Sequence, residues 1–388
     1  MIVRSVRLEH FRNHTSSVLE FGTGVNIILG KNGQGKTNIL EAISCSCLTK
    51  SFYAANDATL VQLGGQRFDV EGTLLSDSGI EHSIKLGYSK ETGEKEFTIN
   101  GGHVERLSSV IGIFPVVVLS PENGAITFGG PAERRRFIDL VLSQLSRTYF
   151  DDLLEYRQVL KQRNRILSES KQRGTLQEEA LAPWNYSLAE RGSRIVHRRL
   201  VFLDGFHRYV ERSYKGLVET TEIPSLRYAT TLAATPQQSV EALAGNILDE
   251  LKRRQSEECR RGLSLVGPHR DDIEFELNGI NLQKYASQGQ HKTFLIALKM
   301  AEFLYLKEKR EEAPVLLLDD VLSELDSVRS KRLLGHIAEL GQAIVTTTDA
   351  TPFDESTPRA YEQRKFYVEQ GTCRPINVGN IQEATLDA

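Results

Sequence analysis

The segment Gly30-Lys31-Asn32-Gly33-Gln34-Gly35-Lys36-Thr37 has the residue types and spacing of a loop that cradles phosphate groups. Its glycines let the backbone bend until successive N–H groups face one anion, and a helix starting at its end adds a positive pole. In that geometry Lys36 reaches the outer phosphates, the Thr37 hydroxyl ligates magnesium, and Asn38 stands in the first helical turn. A glycine-rich turn sometimes matches this pattern by chance. Here an apolar run, Val25–Leu29, precedes it and the helically spaced NILEAISCSCL follows, which is the order the chemistry requires.

A second chemical element is VLLLDDVLSELD, residues 315–326. Its apolar start reads as a buried strand whose end delivers Asp319 to the magnesium shell. Asp320 follows where a carboxylate orients or deprotonates an attacking water. Two acids after an apolar strand are common, so the weight comes from their pairing with the phosphate loop. A third element is YASQGQHKT, residues 285–293, with Ser287, Gly289 and Gln290 just ahead of a helix. A hydroxyl and free amides there suit an anion, although an ordinary helix cap is the simpler reading.

The elements that must position these groups are legible in outline. Alternating or apolar runs predict strands at Ile2–Glu9, Val25–Leu29, Phe68–Leu75, His82–Tyr88, Glu96–Ile99 and Val116–Leu119, with a hairpin turn at Asn100-Gly101. From about residue 131, Leu145, Tyr149, Leu153, Tyr156, Leu160 and Leu167 form one apolar helical stripe. A polar connector over 168–183 separates it from a second stripe through Leu188, Ile195, Phe202, Phe206 and Tyr209, and more helix is expected over 239–260. Each stripe lasts only a few turns, which excludes a long coiled coil. Strands return at Ile273–Leu277, Val315–Leu318 and Ala343–Thr347, with a turn at Asn278-Gly279 and helices over Thr293–Lys309 and Val328–Leu340. No internal repeat is present.

Composition narrows the class. The chain has 388 residues, 40 % of them hydrophobic and 26 % charged, enough for more than one globular unit with a sizeable core. The net charge of −3 means that any nucleic-acid partner must be met by local basic clusters. Cys45, Cys47, Cys259 and Cys373 lack zinc-ligand spacing and read as reduced thiols. The opening MIVRSVRLEHFRN has no apolar signal core and no stretch is long enough to span a membrane, so a cytoplasmic protein is expected.

In chain order, phosphate loop, SQGQ, acidic strand and SELD resemble the ABC-type ATPase heads of the SMC superfamily. The resemblance implies an α/β head of that P-loop type, built from both chain ends, with an inserted and mostly helical lobe. It places the head over 1–125 and 263–378, the lobe over 126–262 and a frayed tail over 379–388, and it leaves open to which lobe the signature belongs. It also implies that Ser287, Gly289 and Gln290 cap the γ-phosphate held by a second copy. Ser323–Asp326 looks like the D-loop, which brings Asp326 to the nucleotide.

Within that superfamily the sequence is most similar to the RecF family. The likeness is carried by LEHFRNH at 8–14, GGPAERRRFID at 129–139, GPHRDD at 267–272, FELNGINLQKYASQGQHKTFLIALKMAE at 275–302 and LLLDDVLSELD. It adds Arg12 and Asn13 to the nucleotide contacts. It further implies an ATP-dependent homodimer that binds duplex DNA near single-strand gaps without sequence preference, a weak DNA-stimulated ATPase, ATP and Mg2+ as cofactors, and RecR and RecO as partners in recombinational repair and replication. Some positions depart from the family pattern. Lys292 replaces an arginine, Asn123 replaces an aspartate, and Glu122 stands where transporter ATPases carry a lid glutamine. TTTD follows the last core strand without a histidine, leaving Thr347 or Thr348 to face phosphate.

Arg134, Arg135, Arg136, Arg194, Arg198 and Arg199 are the expected DNA contacts; Arg191, Arg253, Arg254, Arg260 and Arg261 add further basic character. Charged helix faces are more often merely solvated, and the family resemblance is what favours DNA. Three other readings compete. A transporter ATPase subunit needs the missing glutamine and histidine. A chromosome organiser needs arms longer than the chain between Lys36 and Ser287 allows, since a helix rises about 1.5 Å per residue. A nucleotide-gated DNA platform with negligible turnover differs from a slow ATPase only in its rate.

Overall fold

A computed structural model describes residues 1–54, 56–174, 178–219, 221–349, 353 and 363–376. The chain opens with β1 (Ile2–Phe11), β2 (His14–Glu20) and β3 (Val25–Leu29), then α1 (Lys36–Leu48). Next come β4 (Arg67–Leu75), β5 (Glu81–Ser89), β6 (Lys95–Ile99), β7 (Gly102–His103) and β8 (Val116–Leu119). Helices α2 (Ala125–Phe128), α3 (Pro131–Leu145), α4 (Arg147–Arg173) and α5 (Glu178–Leu217) lead to β9 (Pro224–Ala229), α6 (Val240–Arg261), β10 (Asp272–Leu277) and β11 (Ile280–Asn281). The remainder is α7 (Leu282–Tyr285), α8 (Gln288–Arg310), β12 (Val315–Asp319), α9 (Ser327–Leu340), β13 (Ala343–Thr347), β14 (Gln363–Glu369) and β15 (Thr372–Ile376).

Two compact units result, one of residues 1–124, 212–220 and 295–388, the other of residues 125–211 and 221–294. The first holds two sheets. One is antiparallel in the order β2-β1-β4-β5-β6-β7, with Asn100 and Gly101 both at positive φ (52° and 78°) in its β6–β7 hairpin. The other has the order β15-β14-β3-β13-β12-β8, parallel from β14 to β8. Every residue of β3, β8, β12 and β13 is buried, which explains why these strands read as continuous apolar runs. Their register sets Asp319 opposite Thr346, and Thr346 opposite Ile28. Such carboxyl edges of parallel strands are where α/β folds bind ligands.

The second unit packs helices with a small antiparallel sheet, β11-β10-β9. Phe202 stacks on Phe206 at 4.6 Å, and Phe206 meets Phe137 at 6.4 Å, so the predicted stripe is core. Two expectations need correction. The polar connector is mostly helix: residues 168–173 continue α4 to its Gly174 cap, and 178–183 open α5. Pro183 lies inside α5, in its second turn, where it removes one i→i−4 amide bond without ending the helix. The helices also far outlast a few turns, at 27 and 40 residues for α4 and α5. The signature segment falls in this second unit, and the tail over 379–388 lies outside the described residues.

Candidate functional site

The loop after β3 is built by close backbone approach. A Cβ on Gly30 would stand 2.4 Å from the Val368 carbonyl of β14, and one on Gly35 would stand 2.4 Å from Asn13 Oδ1. Gly35 holds φ 111° as the residue before α1 and brings no side-chain cap, which leaves the start of α1 uncapped, as an anion-binding helix start requires. Lys31, Asn32 and Gly33 form an exposed tip. Lys36 is buried and its Nζ donates to the Gly30 and Lys31 carbonyls at 2.6 and 3.0 Å. Burial lowers its pKa, against the pull of Asp320 and Asp319.

Two neighbours of the loop come from distant parts of the chain. Asn13 Nδ2 donates to the Gln34 carbonyl at 2.9 Å, while Asn13 Oδ1 accepts from Asn38 Nδ2 at 2.8 Å. Arg12 is committed to Glu41, with Nε and one terminal nitrogen each 2.9 Å from a carboxylate oxygen. This bond raises the guanidinium pKa. The turn between β14 and β15 clamps the loop from the other side: Gly371 N–H donates to the Gln34 carbonyl at 3.1 Å and Gln370 N–H to Gln34 Oε1 at 2.6 Å. His14 completes the clamp. Its Nε2 lies 3.0 Å from the Gly35 carbonyl and its Nδ1 2.9 Å from Ser17 Oγ, which donates to the Gly371 carbonyl at 3.0 Å. Sequence reading missed this clamp, although His14 belongs to the LEHFRNH segment and could have drawn notice as a polar residue among strand signals.

Across the sheet edge, Thr37 Oγ1 donates to Asp319, 2.8 Å from Oδ1 and 3.1 Å from Oδ2. Burial pushes the Asp319 carboxyl up, opposed by hydrogen bonds from Thr346 and Thr37. Asp320 adopts φ 49°, rare for a residue with a side chain, and its Oδ1 is buried with no hydrogen-bond partner among the described residues. Among the described residues no group of three or more His, Cys, Asp or Glu could hold a metal by itself. A hydroxyl and a carboxylate side by side nevertheless fit magnesium, which keeps several waters and takes its other ligands from phosphates. The predicted phosphate contacts beyond this point are otherwise engaged: Thr347 Oγ1 bonds within its own turn to Asp349, and Asp326 caps α9 by accepting from Arg329 N–H at 2.9 Å. Thr348 and Glu122 are exposed.

In the second unit the signature residues form a reciprocal helix cap. Ser287 Oγ accepts from Gln290 N–H at 3.2 Å while Gln290 Oε1 accepts from Ser287 N–H at 2.8 Å. Gln290 Nε2 also donates to Glu222 at 2.6 Å, and Gly289 lies in the first turn of α8. The ring of His291 lies beneath Phe128 at 3.9 Å.

The arginines separate by burial, and two expectations are overturned. Arg134, 4 % exposed, grips Asp272 with two bonds of 2.8 Å, and Arg199, 2 % exposed, bonds Asp139 and the Pro268 carbonyl at 2.8 Å. Both hold the unit together and are not presented to a partner, because a buried charge is tolerable only when paired. Arg135 is half-buried and donates to the Asp271 carbonyl at 2.6 Å. Arg136 and Arg198 are exposed, and Arg194 is half-exposed beside Asp152 and Glu190.

The family described as RecF/RecN/SMC N terminal domain matches residues 2–370. A Chloroherpeton thalassium protein named DNA replication and repair protein RecF is 43 % identical over 89 % of this chain and 94 % of its own length. A Salinibacter ruber protein of the same name is 39 % identical over 91 % and 86 %. A solved structure of the recombination mediator protein RecF-ATPrS in the RecFOR pathway superposes with a TM-score of 0.88 at 30 % identity, covering 97 % of this chain and 98 % of that one. An Smc head domain from Pyrococcus furiosus, at 16 % identity and TM-score 0.57, covers 99 % of this chain and 98 % of its own and shares the fold. Among the described residues, no helix is long and apolar enough to cross a membrane.

Proposed function

This chain belongs to the RecF family of the RecF/RecN/SMC proteins, and from that membership we propose that it is an ATP-dependent DNA-binding protein of recombinational repair and replication. The observation that carries this reading is the Thr37–Asp319 hydrogen bond, which joins the phosphate loop to the acidic strand over a separation of 282 residues. The loop amides and Lys36 hold the phosphates. Thr37 and Asp319 hold magnesium, which when bound offsets phosphate charge. Asp320 accepts the proton of the attacking water. Two relatives solved as RecF-ATP and RecF-ATPrS support the nucleotide assignment.

In this reading Ser287, Gly289 and Gln290 of one copy close the site of another, so ATP joins two copies on DNA near single-strand gaps. Slow hydrolysis then separates them. Arg136, Arg198 and Arg194 contact phosphates without reading bases, and RecR and RecO are the protein partners. The test is sizing and crosslinking of the full chain with ATP, magnesium and gapped DNA, with Lys36→Met as the nucleotide-free control. An ATP-dependent dimer absent from the control is expected. A wild-type protein that stays monomeric under saturating nucleotide, with or without gapped DNA, refutes the dimer mechanism.

A further inference from the structure

We infer that Thr346 is a positioning residue for both acids of the site, holding Asp319 for the cation and Asp320 for the water; the inference rests on the nucleotide reading above. Thr346 lies in β13 between the strand that feeds the phosphate loop and the strand that ends in the acids. It is completely buried. Its Oγ1 donates to Asp319 Oδ1 at 2.7 Å and accepts from Asp320 N–H at 3.0 Å. The Asp320 N–H reaches the Thr346 carbonyl as well, at 3.2 Å.

A hydroxyl in a fully buried parallel strand is costly unless satisfied. This one is satisfied by one carboxylate and one amide of consecutive acids, and each bond constrains a different group. The bond to Asp319 leaves Oδ2 to be aimed by Thr37, which donates to both oxygens. The bond from Asp320 N–H supports a left-handed backbone that an aspartate adopts only at a cost. In that conformation the carboxylate keeps Oδ1 buried with no partner among the described residues. A valine of similar size would fill the space and remove both hydroxyl bonds, leaving Asp320 N–H only its backbone bond to the carbonyl of residue 346.

The test compares wild type, Thr346→Val and Thr346→Ser as full chains. Binding of a fluorescent ATP analogue is measured with magnesium removed and across a magnesium titration, followed by steady-state hydrolysis. Expected are equal affinities without magnesium and a magnesium midpoint raised about tenfold in Thr346→Val, the size of one hydrogen bond to a charged group. A fall in kcat with KM for ATP little changed, and recovery of both in Thr346→Ser, complete the pattern. A valine variant with the wild-type midpoint and kcat overturns the inference, as does a serine variant as impaired as valine. Should Thr346→Val fail to fold, Thr346→Ala against Thr346→Ser gives the same comparison of hydroxyl present and absent. If wild type binds no nucleotide at all, the functional reading itself falls.

Discussion

Thr37 Oγ1 lies within hydrogen-bonding distance of both carboxylate oxygens of Asp319, while the next acid, Asp320, keeps a buried oxygen with no partner among the described residues. The proposed division of duties between these adjacent carboxylates can be tested one residue at a time. Asp319→Asn should remove most of the magnesium-dependent gain in ATP affinity, at least tenfold by calorimetric titration, and leave magnesium-free binding intact. Asp320→Asn should bind and dimerise normally yet hydrolyse about 100-fold more slowly in phosphate-release assays, the usual scale for losing a general base. Normal turnover in the latter removes Asp320 from catalysis.

The clamp on the phosphate loop makes an activity prediction at a residue that touches no phosphate. Gly371 has φ 74°, and a Cβ there would stand 2.0 Å from the Asn13 carbonyl. Gly371→Ala must displace either that carbonyl or the turn that bonds Gln34. A loss of about 2–4 kcal/mol in denaturant unfolding is expected, together with weaker ATP binding. Unchanged affinity in the folded variant would show that the loop does not depend on this turn.

Acid should weaken the fold through its buried histidines. Burial lowers His269 to about 4, and its ring sits 2.6 Å from Tyr156 OH. His14 is lowered by the same cause. Because the folded values lie below the unfolded one near 6.5, the unfolded chain takes up more protons as pH falls. Stability is therefore full above about pH 6.5 and declines toward pH 4, with His269 contributing up to about 3 kcal/mol. Melting temperatures between pH 7.5 and 4.5 should fall, and His269→Gln should flatten the slope. A slope unaltered in that variant would assign the acid sensitivity to other groups.

Burial also divides the arginines into two experimental classes. Arg199→Ala leaves Asp139 uncompensated in the interior and should cost about 3–5 kcal/mol of stability. Arg136→Ala and Arg198→Ala should melt like wild type but bind gapped DNA more weakly, each lowering the salt slope by about one. Equal DNA affinity at all salt concentrations in the double variant would place the DNA contact elsewhere.

The phosphate loop, the buried parallel strands and the Asn-Gly hairpins were readable in the sequence because each depends on local requirements. Glycine must permit a bend, a fully buried strand must be apolar, and a tight turn must accept positive φ. β2, with only three of its seven residues buried, and β15 escaped detection because polar edge strands carry little periodicity, and β14, an inner strand, because the buried Lys365 breaks its apolar pattern. Tertiary structure alone decided which arginines lie inside, since Arg134 and Arg136 differ by two positions on α3 and face opposite environments. It also decided the partners of Asp319, Gln34 and His14. Those contacts join residues far apart in the chain, and a hydrogen bond between distant strands leaves no local pattern to read.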